Sequence, residues 1–356
     1  MAADKRVTIA AVAEKAGVSL GTASNVFTGK GRVHPVLRDR VFAVARELGY
    51  QPHPLAQALR TGRNRTIGFC VAFVPNPTIP AFLQGASRAA HAAGYNLTIY
   101  ATEHDPELEA AHLEALARQR VAGVIVFHTG VDPEPYRLAQ RAGASLLFVE
   151  DRPAGLEADL AIFDHRASTR AAVADLLARG RRRVALVVNS PTSAGNVLRA
   201  KGHAEAYAAA GLAVPNDLVV SGAFSDEGAR AAVLALMARA EPPDAIIAGA
   251  GALVQGALAA LRQLGLAVPE QVAFVGSGDA RAFGLTNPDL SLIEIDGHET
   301  GRRLVELVLE RLENGAALPP AREVLLPSRY VARASSGGPK EGQPGAELPA
   351  TTARRV

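Results

Sequence analysis

The sequence predicts an all-α helix-turn-helix head followed by an α/β core of two doubly wound parallel-sheet lobes. Three observations carry this reading. Residues 8–28, TIAAVAEKAGVSLGTASNVFT, place apolar side chains at helical spacing on both sides of Gly17-Val18-Ser19. From Thr66 onward, short apolar runs alternate with amphipathic stretches, as parallel strands covered by helices on both faces require. Basic charge is concentrated ahead of that change. Residues 1–65 hold 11 Lys or Arg against 4 Asp or Glu, although the 356-residue chain carries only +3 overall.

In the head, Ile9, Val12, Ala13 and Ala16 mark a first helix, and Ser19 offers a hydroxyl to cap a second. The second helix, about residues 20–28, buries Ala23, Val26 and Phe27 and turns Leu20, Gly21, Thr22, Ser24, Asn25 and Thr28 outward. Two short helices across a tight turn present the second to a DNA major groove. A plain helical hairpin in a bundle has the same spacing. The polar, uncharged outer face and the surrounding basic charge favour DNA, with phosphate contacts positioning the head and base edges specifying the site. A loop containing Arg32 leads to a third helix, Pro35–Leu48, with Pro in its first turn and Gly49 just past its end. Gln51-Pro52-His53-Pro54 then precedes Leu55–Arg60, too short for an isolated helix, and reads as a linker that becomes helical only when held.

The core strands are expected at Ile67–Phe73, Leu97–Tyr100, Val121–Phe127 and Leu146–Val149, then at Val184–Val188, Leu218–Val220, Ala245–Ala248 and Val272–Val275. The first set brackets helices near Pro80–Ala93, Pro106–Arg120 and Pro135–Ala142. The second set goes with helices near Arg166–Leu177, Val197–Ala210, Ser225–Ala238 and Leu253–Leu264. Two sets of similar size imply two lobes with a ligand cleft at the strand C-termini. The expected divisions are head 1–50, linker 51–65, core 66–332 and a disordered Gly/Pro-rich tail 333–356. Within the core, the first lobe takes about 66–163 and 296–320, and the second about 164–295 and 321–332.

Composition excludes other classes. At 48% hydrophobic and 21% charged residues, the chain is that of a globular protein. Cys70 is its only cysteine, which rules out an intrachain disulfide and suits a reducing cytoplasm. No unbroken apolar run suggests a signal segment or a membrane span, so neither a secreted solute-binding protein nor a membrane partner is expected. Gly249-Ala250-Gly251 follows a strand, but the third glycine of a dinucleotide fingerprint would fall at Val254. His34, His53, His128, His165, His203 and His298 are scattered, and no metal-ligand spacing or nucleophile elbow occurs, so no catalytic residue, metal or cofactor is expected.

VTIAAVAEKAGVS, RELGYQPHPLAQALRTGRNRTIGF, QRVAGVIVF, VPEQVAFVG and LSLIEIDGHETGRRLVELVLERL together resemble the lactose/galactose-repressor family of bacterial transcription regulators, from about Val7 to Val331. The resemblance implies a cytoplasmic homodimer that binds a palindromic operator, a core like that of periplasmic sugar-binding proteins, and a small-molecule effector in the cleft. Repression is the implied mode, and activation on the same scaffold stays open. Thr8 and Ser19 fall at the family's phosphate-contacting positions, and Leu20, Gly21 and Asn25 at its base-reading positions. Thr22, Ser24, Thr28, Arg32 and His53 complete the implied DNA-contacting set. Leu59 matches the hinge-helix wedge that enters the minor groove, with Ala56 small enough to let two hinge helices meet. Asn25 stands where most members carry Arg, which changes the expected base preference.

The implied effector site departs further from the family. Arg199 matches the usual clamp, Glu150 replaces an Asp, and Asp164 lies at a lobe crossing. Ala250-Gly251 replaces an Asn-Asp pair, Ser277-Gly278 before Asp279 replaces an aromatic-Asp pair, and Thr78 and Ile79 replace ring-stacking aromatics. With His128 these residues form the expected contact set, and they imply either an effector unlike the usual sugar or weak effector control. No heptad repeat follows Val331, so a coiled-coil tetramer is not expected.

Overall fold

Helix α1 (Ile9–Ala16) starts where the Thr8 hydroxyl accepts the Ala11 N–H at 3.3 Å and stops at Gly17, whose φ of 62° closes the left-handed C-cap. The computed structural model describes residues 7–28, 33–50, 64–72, 76–130 and 132–338. They divide into two units, Met1–Asn64 and Arg65–Val356. In the first unit, α2 (Leu20–Thr28) and α3 (Pro35–Leu48) pack with α1 around Val12, Ala13, Ala16, Ala23, Val26, Val41 and Ala45. Phe27 meets Phe42 edge-on and lies against Tyr50, and Lys15 pairs with Glu47 at 2.7 Å to tie α1 to α3. The linker, including the expected positions of His53, Ala56 and Leu59, lies outside the described residues, as does Arg32.

The second unit holds two six-stranded sheets. Its elements run β1 (Asn64–Val71), α4 (Ile79–Ala92), β2 (Asn96–Ala101), α5 (Pro106–Gln119), β3 (Val121–Val126), α6 (Glu134–Arg141), β4 (Ser145–Val149) and β5 (Asp159–Phe163). They continue with α7 (His165–Ala178), β6 (Val184–Val187), α8 (Ala194–Ala209), β7 (Val219–Val220), α9 (Asp226–Met237), β8 (Ala245–Ala248), α10 (Gly251–Gln263) and β9 (Ala273–Gly278). β10 (Ser291–Glu294), α11 (Gly297–Asn314), β11 (Glu323–Leu326) and β12 (Arg329–Val331) complete the unit. The sheet orders are β11-β5-β4-β3-β1-β2 and β12-β10-β9-β8-β6-β7. Only β12, antiparallel to β10, breaks the parallel pairing of the described ladders.

Each sheet is apolar on both faces because helices cover both. In the first lobe, α4 and α11 bury Ile67, Phe69, Val71 and Phe163 on one side. Helices α5 and α6 bury Val124, Val126 and Phe148 on the other. In the second lobe, α9 and α10 cover Ile246 and Phe274, and α7 and α8 cover Ile247 and Val275.

The chain passes between lobes three times, at Phe163–His165, Glu294–Gly297 and Leu326–Arg329. The passages from β5 and β11 join the β5/β11 margin of one sheet to the β10/β12 margin of the other, and the passage from β10 leaves from that same second margin to meet α4 at Ala81 and Phe82.

Three expectations change. The first core strand begins at Asn64, ahead of the core start expected at Thr66, because half-buried Asn64 and exposed Arg65 extend β1 beyond its apolar run. Residues 321–326, expected in the second lobe, supply β11 to the first, where Val324 and Leu326 meet its core. Residues 333–338, expected in a disordered tail, fold back onto the second sheet. There the Ser335 hydroxyl donates to the Phe274 carbonyl at 2.7 Å, and Ser291 donates to Ser336 at 2.7 Å.

Candidate DNA-reading face and interlobe site

The turn before α2 is built by its own residues. Ser19 Oγ accepts the Thr22 N–H at 3.0 Å and lies 2.9 Å from Thr22 Oγ1, so one hydroxyl pair caps the helix and fixes where it starts. Burial of Ala23 and Val26 sets the helix rotation and leaves Leu20, 54% exposed, with Gly21 and Asn25 on the open face. Thr22 and Ser24 are half-buried at its edge. Leu20–Thr28 carries no charged side chain, so it presents amide, hydroxyl and apolar groups rather than a solvated ionic face. Of the residues expected to face outward on this helix, Leu20, Gly21 and Asn25 are exposed, whereas Thr22 and Ser24 are only partly so.

In the second unit, the expected effector residues separate into three groups. Glu150 and Arg199 come together. Glu150, at φ 73° just after β4, receives the His165 Nε2–H at 2.7 and 2.8 Å to its two oxygens. Arg199, only 8% exposed on α8, donates to Asn196 Oδ1 at 2.8 Å and leaves its Nε without a hydrogen-bond partner. A Cβ on Gly195 would stand 2.4 Å from Glu150 Oε2, so only glycine lets the first turn of α8 approach this carboxylate. Burial alone would raise the Glu150 carboxyl, but the charge and hydrogen bond of His165, with Arg199, hold it below its ordinary value. Burial and the Arg199 charge together lower His165, which therefore stays neutral. Its Nε2 proton is committed to Glu150, leaving Nδ1 as a buried acceptor. His165 and Asn196 had no sequence signal as site residues, since their partners lie on other elements.

A second group seals the lobes. Thr78 Oγ1 accepts the Asp279 N–H at 3.3 Å. A Cβ on Gly251 would meet Asn76 Oδ1 at 2.6 Å, and one on Gly278 would meet Thr78 Oγ1 at 2.6 Å. The glycines at these positions therefore let the turn that leads into α4, with its N-cap Thr78, rest on the second-lobe backbone. Asp279 accepts from the N–H groups of Arg281 (2.9 Å) and Gly297 (2.8 Å) and pairs with the Arg281 guanidinium. Burial would raise its carboxyl, but Arg281 and these amides hold it below its ordinary value. Ala250 is the N-cap of α10 without a side-chain cap, and Ser277 is 2% exposed with an unpartnered hydroxyl.

The remaining expected residues stand elsewhere. Ile79 belongs to the first-lobe core. Asp164 caps α7, accepting the Ala167 N–H at 3.1 Å. His128 Nδ1 donates to the Gly130 carbonyl at 2.8 Å, its ring rests against Tyr136 and Phe148, and Nε2 is a buried, unpartnered acceptor. No helix is long and apolar enough to cross a membrane, and no group of three metal-ligating side chains occurs, among the described residues.

Two family models match the chain: bacterial regulatory proteins of the lacI family over residues 8–53, and a periplasmic binding protein-like domain over residues 173–336. The ribose operon repressor of Escherichia coli K12 is 28% identical over 302 residues, covering 85% of this chain and 92% of that one. The regulator CelR of Thermobifida fusca is 29% identical, covering 90% and 96%. Among solved structures, the CelR–cellobiose complex superposes with a TM-score of 0.67 at 27% identity over 93% and 100% of the two chains. The lac repressor dimer bound to operator and the anti-inducer ONPF reaches 0.77 at 24% identity over 93% and 99%, a likeness of fold.

Proposed function

Because the chain belongs to the lacI family of bacterial regulatory proteins, we infer that it is a sequence-specific DNA-binding regulator of transcription, a repressor in mode rather than an enzyme. The observation that carries this reading is α2, capped by Ser19 and rotated by burial of Ala23 and Val26 so that an uncharged face stands open in a basic unit. One head per half-site of a palindromic operator follows from a two-fold homodimer. Leu20, Gly21, Ser24 and Asn25 would meet base edges, with Thr8, Ser19 and Thr22 toward the backbone, and Thr28 is assigned on the family resemblance alone. Arg32, His53, Ala56 and Leu59 are assigned on the family resemblance alone. Cytoplasmic location, on the nucleoid when bound, belongs to the same reading.

The interlobe cleft is proposed as the effector site. Relatives supply the precedent, CelR being seen with cellobiose. Glu150, Arg199 and Asn196, with the unpartnered acceptor of His165, offer paired donors and acceptors to a neutral polar molecule. The test is selection of duplexes from a random library by the full chain, followed by binding anisotropy on the enriched sequence. Enrichment of a palindrome supports the reading, and binding without sequence preference overturns it.

A further inference from the structure

The three chain passages all use the β10/β12 margin of the second sheet, so the lobes can part most easily at the opposite margin, where β2 and β7 are the edge strands. Side chains from both lobes meet there. His104, three residues beyond β2, lies edge-on to Phe224, four residues beyond β7, with ring centroids 5.7 Å apart and planes at 68°. The loop that brings His104 there is held in a costly backbone. Glu103 and His104 have φ of 52° and 60°, consecutive left-handed residues without glycine, each disfavoured by about 1 kcal/mol or more. The surroundings impose that shape: the His104 N–H donates to the Ala72 carbonyl at 3.1 Å and Asp105 N–H to Thr102 at 2.7 Å. On the other side, Ala223 is buried in the second-lobe core while Phe224 stays 47% exposed and turns toward His104.

We propose that His104 and Phe224 form a latch across the mouth of the cleft that biases the two lobes toward the closed arrangement. A contact at the margin farthest from the passages acts with the longest lever on lobe opening. It works beside the seal at Gly251 and Gly278, which lies nearer the chain passages. Its effect on operator affinity rests on the regulatory reading above; the latch itself does not.

The experiment is single-molecule energy transfer between labels at Glu107→Cys in the first lobe and Lys201→Cys in the second. Both sites are exposed, and the single native cysteine, Cys70, is fully buried. Labelled chain is diluted into excess unlabelled chain, so that transfer reports one subunit. An edge-to-face aromatic pair is worth enough to move the closed-to-open ratio about two- to tenfold. His104→Ala and Phe224→Ala are each expected to lower that ratio by this factor, with the double variant no lower than either single one. Phe224→Leu keeps an apolar side chain and controls for misfolding through an unchanged melting temperature. Unchanged transfer in the single variants, or effects that simply multiply in the double one, overturns the latch. Palindrome selection by the same samples tests the regulatory reading separately: its failure with an intact transfer response counts against that reading and not against the latch.

Discussion

Asn25 offers a forked amide on the open face of α2, a shape that matches adenine N6 and N7, whereas a guanidinium matches guanine O6 and N7. Asn25→Arg is therefore expected to exchange adenine for guanine at one position of each half-site. Asn25→Ala should flatten the preference there by about 1–3 kcal/mol of discrimination, both read from enriched sequences. In the core, Glu150 is the carboxylate facing the buried Arg199 guanidinium. Glu150→Gln leaves that guanidinium without its counter-charge and is expected to destabilise the protein by on the order of 3 kcal/mol, measured by urea unfolding. A matching Arg199→Met, Glu150→Gln pair should recover part of the loss, because the uncompensated charge is then gone. Neither residue shows this pairing in the sequence, where 48 intervening positions separate Glu150 from Arg199.

At the scale of elements, local chemistry decides what can be read in advance. Helices α2 and α3 fall where expected because Ser19, Pro35 and Gly49 mark their ends. Ser19→Ala is expected to cost about 1 kcal/mol of head stability through loss of the cap, seen as weaker operator binding at raised temperature. Gly251→Val should force Asn76 and Thr78 away from the second lobe, and small-angle scattering should record a larger radius of gyration for the core. The strands that escaped the sequence are short, and their placement depends on which sheet margin is open. β5 (DLAIF) carries the buried Asp159, which is held by Arg311 and by Arg322. β11 and β12 are separated by two residues yet join different sheets, a choice that no local pattern encodes. Helix α11 opens on Gly297, His298, Thr300 and Gly301, weak helix formers around a single Glu299 that hide the long amphipathic helix behind them. The same limit applies to the interlobe site. Arg199 and Glu150 could be found by resemblance, but His165 and Asn196 acquire their roles only when α7 and α8 pack against β4's end.

For the whole molecule, charge and protonation set the conditions of work. Operator affinity should fall steeply as salt rises, and replacing Lys5 or Arg6 with Ala should weaken all duplexes about equally while lowering the logarithmic salt slope by about 1 if the residue contacts a phosphate. Two buried histidines, His165 and His203, have pKa values lowered by burial, and Glu150 is lowered as well. In each case the unfolded chain takes up a proton more readily than the folded one. Stability is therefore fully present at neutral pH and is lost as pH falls, first below the ordinary histidine value of 6.5 and then below the ordinary glutamate value of 4.5. Thermal melting from pH 7.5 to pH 4.5 should show this decline, and His203→Gln should make its first stage shallower.

The threading of the chain also orders its synthesis. The head's last helix ends at Leu48, so the DNA-reading unit is available soon after its residues leave the ribosome. The first lobe must wait: its sheet lacks an edge strand until Glu323–Leu326 arrives, and α4 lacks its partner until α11 has been made. From the completion of β5 at Phe163 until Glu323 is made, then, β5 presents an unpaired strand edge beside an uncovered apolar face, the state in which a nascent chain is most exposed to aggregation and most in need of a chaperone.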